Sequence, residues 1–138
     1  MPRLTFACFI VIMLSILPAR AADVQTSDLY ASIATLHQRM DDGRVDSRTL
    51  ARQFLDRIDR LDRQGPALHA VLETNPDALT IAGKLDAAHA RGLLHGIPVL
   101  LKDNIDTGDQ MLTTAGSLAL ADAPAPRDAF IVERLRKA

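Results

Sequence analysis

Apolar side chains recur every three or four residues along two consecutive stretches, and this spacing predicts two amphipathic helices. The first helix is predicted to begin at Thr26 or Ser27, either of which can cap it, and to end at Gly43. The second is predicted to begin near Asp46-Ser47 and to end before Gln64-Gly65-Pro66. The predicted core positions are Leu29, Ile33, Leu36 and Met40 in the first helix and Leu50, Phe54, Ile58 and Leu61 in the second.

The middle of the chain alternates short apolar runs with a third helix. The runs at 68–72 and 97–101 predict two short buried strands. Asn75-Pro76-Asp77 combines a cap residue, an early proline and an early acid, and predicts a helix that continues to Gly92. This order predicts a β-α-β unit with parallel strands, and therefore an α/β fold. A last helix is predicted to start near 126–128 and to bury three apolar side chains, those of Phe130, Ile131 and Leu135.

Residues 1–21 have the form of an export signal. A basic start precedes the apolar run 4–17, and Ala19-Arg20-Ala21 fits a signal-peptidase site. We therefore expect cleavage after Ala21, a periplasmic or secreted product, and a domain comprising residues 22–138. An uncleaved anchor or a lipid on Cys8 is the alternative, although the run is shorter than the roughly 20 residues of a membrane span.

Composition and charge exclude several classes of function. The formal net charge is -1, which is not typical of a nucleic-acid-binding protein. Cys8 is the only cysteine, so the predicted mature domain can form neither disulfides nor cysteine-based metal sites. The four histidines do not form a recognisable ligand pair, and we expect neither a metal nor an organic cofactor. They are His37, His69, His89 and His95.

Lys102 is the candidate for chemistry. It follows the apolar run 97–101 and would lie at the carboxyl end of a parallel strand, where catalytic groups collect in open sheets. In an apolar pocket its amine could lose the proton and act as a base or nucleophile. Asp103 need not oppose this, because consecutive strand residues face opposite sides. A solvated lysine at the end of a strand is the alternative.

Several segments resemble the amidase signature family in the order in which that family has them. Gly96 to Asn104 is similar to its first block, whose lysine is the base of a serine–serine–lysine triad. Thr113-Thr114-Ala115-Gly116-Ser117 resembles its Thr-x-Gly-Ser stretch, and 128–136 resembles the helix that follows. The resemblance runs from about Leu50 to the last residue. It implies helices that lead into the first strands of an α/β/α sandwich, incomplete in this chain.

The resemblance implies an amidase that hydrolyses carbon–nitrogen bonds of small-molecule amides by acyl transfer to serine, with Lys102 as the base and without a cofactor. The family's two serines lie in a Gly-Gly-Ser-Ser-Gly-Gly-Ser-like segment, and these 138 residues contain no such segment. Ser117 is a poor substitute because it lacks the elbow pattern of a nucleophilic serine. The loop 113–117 lies near the active site in the family, but its small polar residues could equally serve as turn formers.

We therefore expect an inactive, truncated amidase, without a nucleic-acid partner and without a membrane span once the signal is cleaved. One alternative is a small secreted non-catalytic binding protein derived from an amidase. The other is a lysine enzyme that forms a Schiff base with a carbonyl substrate.

Overall fold

The computed structural model describes residues 28–88 and 92–138, and within those ranges the chain is helical. The α-helices are α1 (Ile33–Asp41), α2 (Ser47–Ile58), α3 (Ala78–Asp86) and α4 (Phe130–Lys137). Short helical turns lie at Asp28–Tyr30 and Leu118–Leu120, and a π-helical turn, Asp59–Arg63, prolongs α2. None of the helices in the described ranges is both long and apolar enough to cross a bilayer. The predicted signal, residues 1–21, lies outside the described residues, as does His89.

Capping side chains explain where α1 and α2 begin. The Ser32 backbone is extended, and its hydroxyl oxygen accepts the Thr35 N–H at 3.2 Å. The Asp46 carboxylate accepts the Thr49 N–H at 2.6 Å. Each cap provides an acceptor for one N–H of a first turn, whose amides have no partner within the helix. The predicted start of the second helix is therefore confirmed.

The first helix begins later than predicted and ends where predicted. Residues Asp28–Tyr30 form a separate turn, and Ser32 is the cap of α1 in place of Ser27. Gly43 has a positive φ of 67°, and its N–H donates to the carbonyl of Met40 at 3.1 Å. Glycine adopts this left-handed conformation without the steric cost of a Cβ, which is why it ends the helix.

The apolar core lies between α1 and α2. Four buried side chains form one cluster: Leu36, Met40, Val45 and Leu50. Three partly buried ones pack against it: Ala31, Phe54 and Ile97. Leu50 is fully enclosed, and burial of a leucine of this kind stabilises a fold by about 1.5–3 kcal/mol. The predicted core positions Leu36, Met40 and Leu50 are confirmed, whereas the prediction for Ile33 is wrong, because that side chain is 45% exposed.

Helix α3 packs against α2 and also caps it. The Asp86 carboxylate accepts the N–H groups of Ser47 at 2.7 Å and of Arg48 at 3.1 Å, at the positive end of the α2 dipole. Partial burial raises the pKa of Asp86, but the hydrogen bonds from Ser47 and Arg48 and the nearby His95 outweigh it, so that the pKa lies below its ordinary value. The carboxylate is thus a second cap for α2, supplied from a distant part of the chain.

The predicted start of α3 is confirmed, but its predicted end is not. The Asn75 side-chain oxygen accepts the Asp77 N–H at 2.8 Å, and the helix begins at Ala78. It ends at Asp86 rather than continuing to Gly92. The last residue of α3 is thus Asp86, whose carboxylate contacts the start of α2. The end of α3 coincides with this tertiary contact and not with Gly92.

Neither predicted strand forms a strand in the described part of the chain. The N–H groups of Ala70 and Val71 donate to the buried Asp62 carboxylate at 2.6 and 3.2 Å instead of to a neighbouring strand. Leu72 and Leu100 are each 73% exposed, so these runs are not buried either. A strand requires a partner that pairs its N–H and C=O groups, and none lies beside these runs within the described ranges. The α/β expectation is therefore not confirmed.

Helix α4 carries its apolar face largely in solvent. The prediction that Phe130 and Ile131 are buried is wrong, because they are 75% and 53% exposed. Val132 alone is buried on this helix. The last turn of α4 carries three basic residues: Arg134, Arg136 and Lys137.

Candidate functional site

Lys102 lies at the start of a tight turn rather than at the end of a buried strand. The Ile105 N–H donates to the Lys102 carbonyl at 3.0 Å, which closes the turn over residues 102–105. The Lys102 side chain is exposed, and Val99 and Leu100 before it are exposed as well. The expected apolar pocket around the amine is therefore wrong for the described residues. Ile97, at the start of this run, is the member that packs against the helical core.

Asp103, the next residue, organises the loop Thr113–Ser117. One carboxylate oxygen accepts the Thr114 N–H at 3.2 Å, and the other accepts the Thr114 hydroxyl at 2.6 Å and the Gly116 N–H at 3.3 Å. The Asp103 carbonyl accepts the Ala115 N–H at 3.0 Å. The structure thus brings together two segments that the sequence only suggested were related.

The backbone of this loop is unusual at two consecutive positions. Ala115 has a φ of 50° and Gly116 a φ of 78°, both in the left-handed region. A left-handed alanine costs roughly 1–2 kcal/mol, because its Cβ approaches the following carbonyl oxygen. The Thr114 and Gly116 N–H groups donate to the Asp103 carboxylate, and the Ala115 N–H between them donates to the Asp103 backbone carbonyl. The Asp103 carboxylate is therefore hydrogen-bonded to the loop on both sides of Ala115.

Hydrogen bonding keeps Asp103 ionised. The Thr114 hydroxyl and N–H, and then the Gly116 and Ala115 amides, hold the pKa of Asp103 below its ordinary value against a smaller opposing effect of burial. An open cavity of about 350 Å³ lies beside this carboxylate. Its wall consists of Leu72, Glu73, Asp103, Leu112 and Thr114. The second carboxylate in this wall, that of Glu73, accepts the Leu112 N–H at 2.8 Å.

The segment after the Lys102 turn is fastened to α4 by a second polar cluster. Arg136 donates to Asp109 at 2.8 Å and to Asp128 at 2.7 Å. The other Asp128 oxygen accepts the Gly108 N–H at 2.7 Å. Partial burial raises the pKa of Asp128, but the bonds from Arg136 and Gly108 outweigh it and the pKa is lowered. Sequence analysis missed this cluster, because its members are far apart and carry no local motif.

The residues before the Lys102 turn are anchored on the start of α2. His95 is buried, and its Nε2 lies 3.0 Å from the carbonyl oxygen of Leu85. Gly96 has a φ of 72°, and a Cβ added there would lie 2.1 Å from the Ser47 hydroxyl oxygen. Glycine is thus required by close approach as well as by backbone conformation. The turn that bears Lys102 is consequently attached to the helical core on one side and to α4 on the other.

Among the described residues, no group of three or more His, Cys, Asp or Glu side chains could hold a metal ion. His95 is engaged with Leu85, as above. His37 is partly buried, and its Nε2 is among the buried side-chain atoms without a hydrogen-bond partner. The chemistry available at the candidate site is therefore that of an amine, carboxylates and hydroxyls.

Comparison with known proteins matches the part of the chain that contains Lys102 and the loop Thr113–Ser117. The profile of the Amidase family matches residues 49–138. An amidase-named protein of Schizosaccharomyces pombe is 43% identical over 112 residues, which are 78% of this chain and 19% of that protein. The A subunit of a glutamyl-tRNA(Gln) amidotransferase from Exiguobacterium sibiricum is 39% identical over 108 residues, 77% of this chain and 22% of the subunit.

A solved structure is similar as well. The crystal structure of a peptide amidase from Stenotrophomonas maltophilia superposes with a TM-score of 0.72 at 51% sequence identity. That match covers 77% of this chain and 22% of the peptide amidase. The chain spans about a fifth of the length of the relatives that it matches.

Proposed function

The chain belongs to the amidase family, and from that premise we propose that it forms the N-terminal part of an enzyme that hydrolyses carbon–nitrogen bonds of small-molecule amides. The observation that carries the proposal is the family match over 49–138, which includes Lys102 and the loop held by Asp103. The 51% identity to a peptide amidase supports hydrolysis of amide bonds.

The proposed reaction is acyl transfer. A serine attacks the amide carbonyl, a second serine relays its proton, and Lys102 is the terminal base. Backbone N–H groups stabilise the oxyanion. Both serines belong to sequence that these 138 residues do not include, so we expect the 138-residue chain alone to be inactive.

The proposal also accounts for the exposed apolar run before Lys102. In the complete domain we expect residues 68–72 and 97–101 to pair as strands of an α/β/α sandwich and to be covered by chain from elsewhere. That burial would place the amine in surroundings of low dielectric constant, where the neutral form of a lysine is favoured. The exposed Val99 and Leu100 would then be interior residues of the larger protein.

We further propose export of the protein. Residues 1–21 act as a signal peptide that is cleaved after Ala21, and the domain is 22–138 together with its continuation. Export separates the protein from tRNA substrates, which favours free amides over the amidotransferase reaction. N-terminal sequencing of protein recovered from the periplasm or medium should begin at Ala22, and an intact Met1 in that material would refute export by cleavage.

Substitution of Lys102 tests the catalytic proposal. In the protein continued through the serine segment, Lys102→Ala should lower amide turnover by several orders of magnitude, since the serine loses its base. Lys84→Ala, at an exposed position on α3, is the matched control and should retain activity. Circular dichroism should show equal helix content in both variants. Normal turnover by Lys102→Ala would show that another group is the base.

The reading frame tests the same proposal at the level of the gene. The nucleotide sequence beyond the codon for Ala138 should encode a Gly- and Ser-rich segment with paired serines. A frame that encodes no such segment would instead favour the small non-catalytic binding protein. A soluble, cooperatively unfolding product of residues 22–138 would be expected in that case.

A further inference from the structure

Asp103 connects the turn that bears Lys102 to the loop Thr113–Ser117 through four hydrogen bonds. Its carboxylate accepts the Thr114 N–H, the Thr114 hydroxyl and the Gly116 N–H. Its backbone carbonyl accepts the Ala115 N–H. Asp103 therefore holds three consecutive loop residues, and it is the residue that follows Lys102 in the sequence.

We propose that Asp103 is a positioning residue of the amidase reaction, which ties the loop Thr113–Ser117 to the Lys102 turn so that base and loop act as one rigid unit. The inference rests on the proposed function, because it takes Lys102 as the base. It adds a residue whose side chain need not touch the substrate. Its effect is exerted through the loop and through the backbone next to the amine.

The loop needs such a tie because its own sequence does not favour its shape. Ala115 and Gly116 are both left-handed, and alanine rarely adopts that conformation. The hydrogen bonds from residues 114 and 116 flank the strained alanine on both sides. Loss of the carboxylate should therefore release the loop into a different backbone conformation.

The distribution of donors over the two oxygens makes the charge essential. One oxygen accepts the Thr114 N–H, and the other accepts the Thr114 hydroxyl and the Gly116 N–H. An asparagine has one acceptor oxygen and one NH₂ group, so its NH₂ would face a donor in either orientation. Asp103→Asn is thus nearly the same size as the original residue but cannot make the same set of bonds.

Rigid placement matters because the rates of acyl-transfer reactions depend on atomic positions. A displacement of about 1 Å in a catalytic group can reduce turnover by about 10²-fold. Asp103 follows Lys102 directly in the sequence and is hydrogen-bonded to Thr114, Ala115 and Gly116 of the loop. Movement of the loop is therefore transmitted to the backbone that carries the amine.

Four variants test the inference by NMR in the 138-residue chain. Asp103→Asn and Thr114→Val each remove at least one of the bonds, and should shift the amide resonances of Ala115 and Gly116 and accelerate their exchange with solvent. Thr114→Ser keeps the hydroxyl and should leave the two resonances close to their original positions. Asp106→Asn changes an exposed carboxylate nearby and serves as the charge control. Unchanged Ala115 and Gly116 resonances in Asp103→Asn would overturn the inference.

A second set of measurements uses the longer protein that continues through the serine segment. Its kinetics distinguish a positioning role of Asp103 from a role in stability alone. Asp103→Asn and Thr114→Val should lower kcat by roughly 10- to 100-fold with KM changed by less than about twofold, and Thr114→Ser should restore kcat. Shifted amides with an unchanged kcat would refute the positioning role. Normal turnover by Lys102→Ala would refute the proposed function instead, and the NMR result on Asp103 does not depend on that measurement.

Discussion

The two halves of the described chain are held together in different ways. In the first half, α1, α2 and the loop between them form an apolar cluster around Leu50, against which Ile97 of the second half also packs. In the second half, Leu100 and Phe130 are exposed, and carboxylates hold the loops by accepting N–H groups. The difference shows that apolar packing organises α1 and α2, whereas polar contacts organise the loops of the second half, where Leu100 and Phe130 are exposed.

The largest predicted effect distinguishes the two halves by their leucines. Leu50→Ala should lower the free energy of unfolding by about 3 kcal/mol, because it leaves a cavity in an enclosed core. Leu100→Ala should change it by less than about 0.5 kcal/mol, because that side chain is largely in solvent. Urea unfolding of the 138-residue chain, followed by circular dichroism, measures both. Equal losses in the two variants would mean that the second half also has a closed core.

A smaller effect is expected where α3 caps α2. Asp86→Ala removes the acceptor of the Ser47 and Arg48 amides and should cost about 1–2 kcal/mol of stability, as loss of a helix cap does. Asp56→Ala, an exposed carboxylate on α2, is the control and should cost little. The same urea titration is used. A loss no greater than that of the control would mean that Asp46 alone caps the helix in solution.

The pH dependence of stability should follow the capping carboxylates. The pKa values of Asp86 and Asp128 are lower in the folded chain than the ordinary value of 3.8. The stabilisation from these groups is therefore fully present above that value, and is lost as the pH falls through the folded pKa values. Unfolding free energies measured from pH 7 to pH 2 should decline in the acid range, and Asp86→Asn should make the decline less steep. An unaltered slope in that variant would contradict the lowered pKa.

The smallest effect is expected for the attachment of α4. Arg136→Met should lower global stability by less than about 1 kcal/mol, because the ion pairs with Asp109 and Asp128 are partly exposed. Locally, the Gly108 amide should exchange faster with solvent, since Asp128 loses the partner that orients it. Lys137→Met is the control from the same helix turn. Unchanged exchange at Gly108 would show that Asp128 is held without the arginine.

The local features of the helices were predictable from the sequence. Asp46 and Asn75-Pro76-Asp77 are start signals that act within three residues, so the starts of α2 and α3 could be inferred without knowledge of the tertiary structure. The strands could not be inferred in the same way, because an apolar run becomes a strand only beside a partner. The run before Lys102 illustrates this: its pattern predicts burial of every apolar residue, whereas Val99 and Leu100 are exposed.

The amino-acid sequence by itself determined the two amphipathic helices of the core, the candidate base Lys102 and the resemblance to amidases, since these depend on residue type and short spacing. Only the tertiary structure decided that Asp86 caps α2 and that Asp103 holds the loop around Ala115. The physical reason is that such contacts join a side chain to backbone groups many residues away. Their partners are amides that every residue carries, so no local pattern of side chains can reveal which ones will meet.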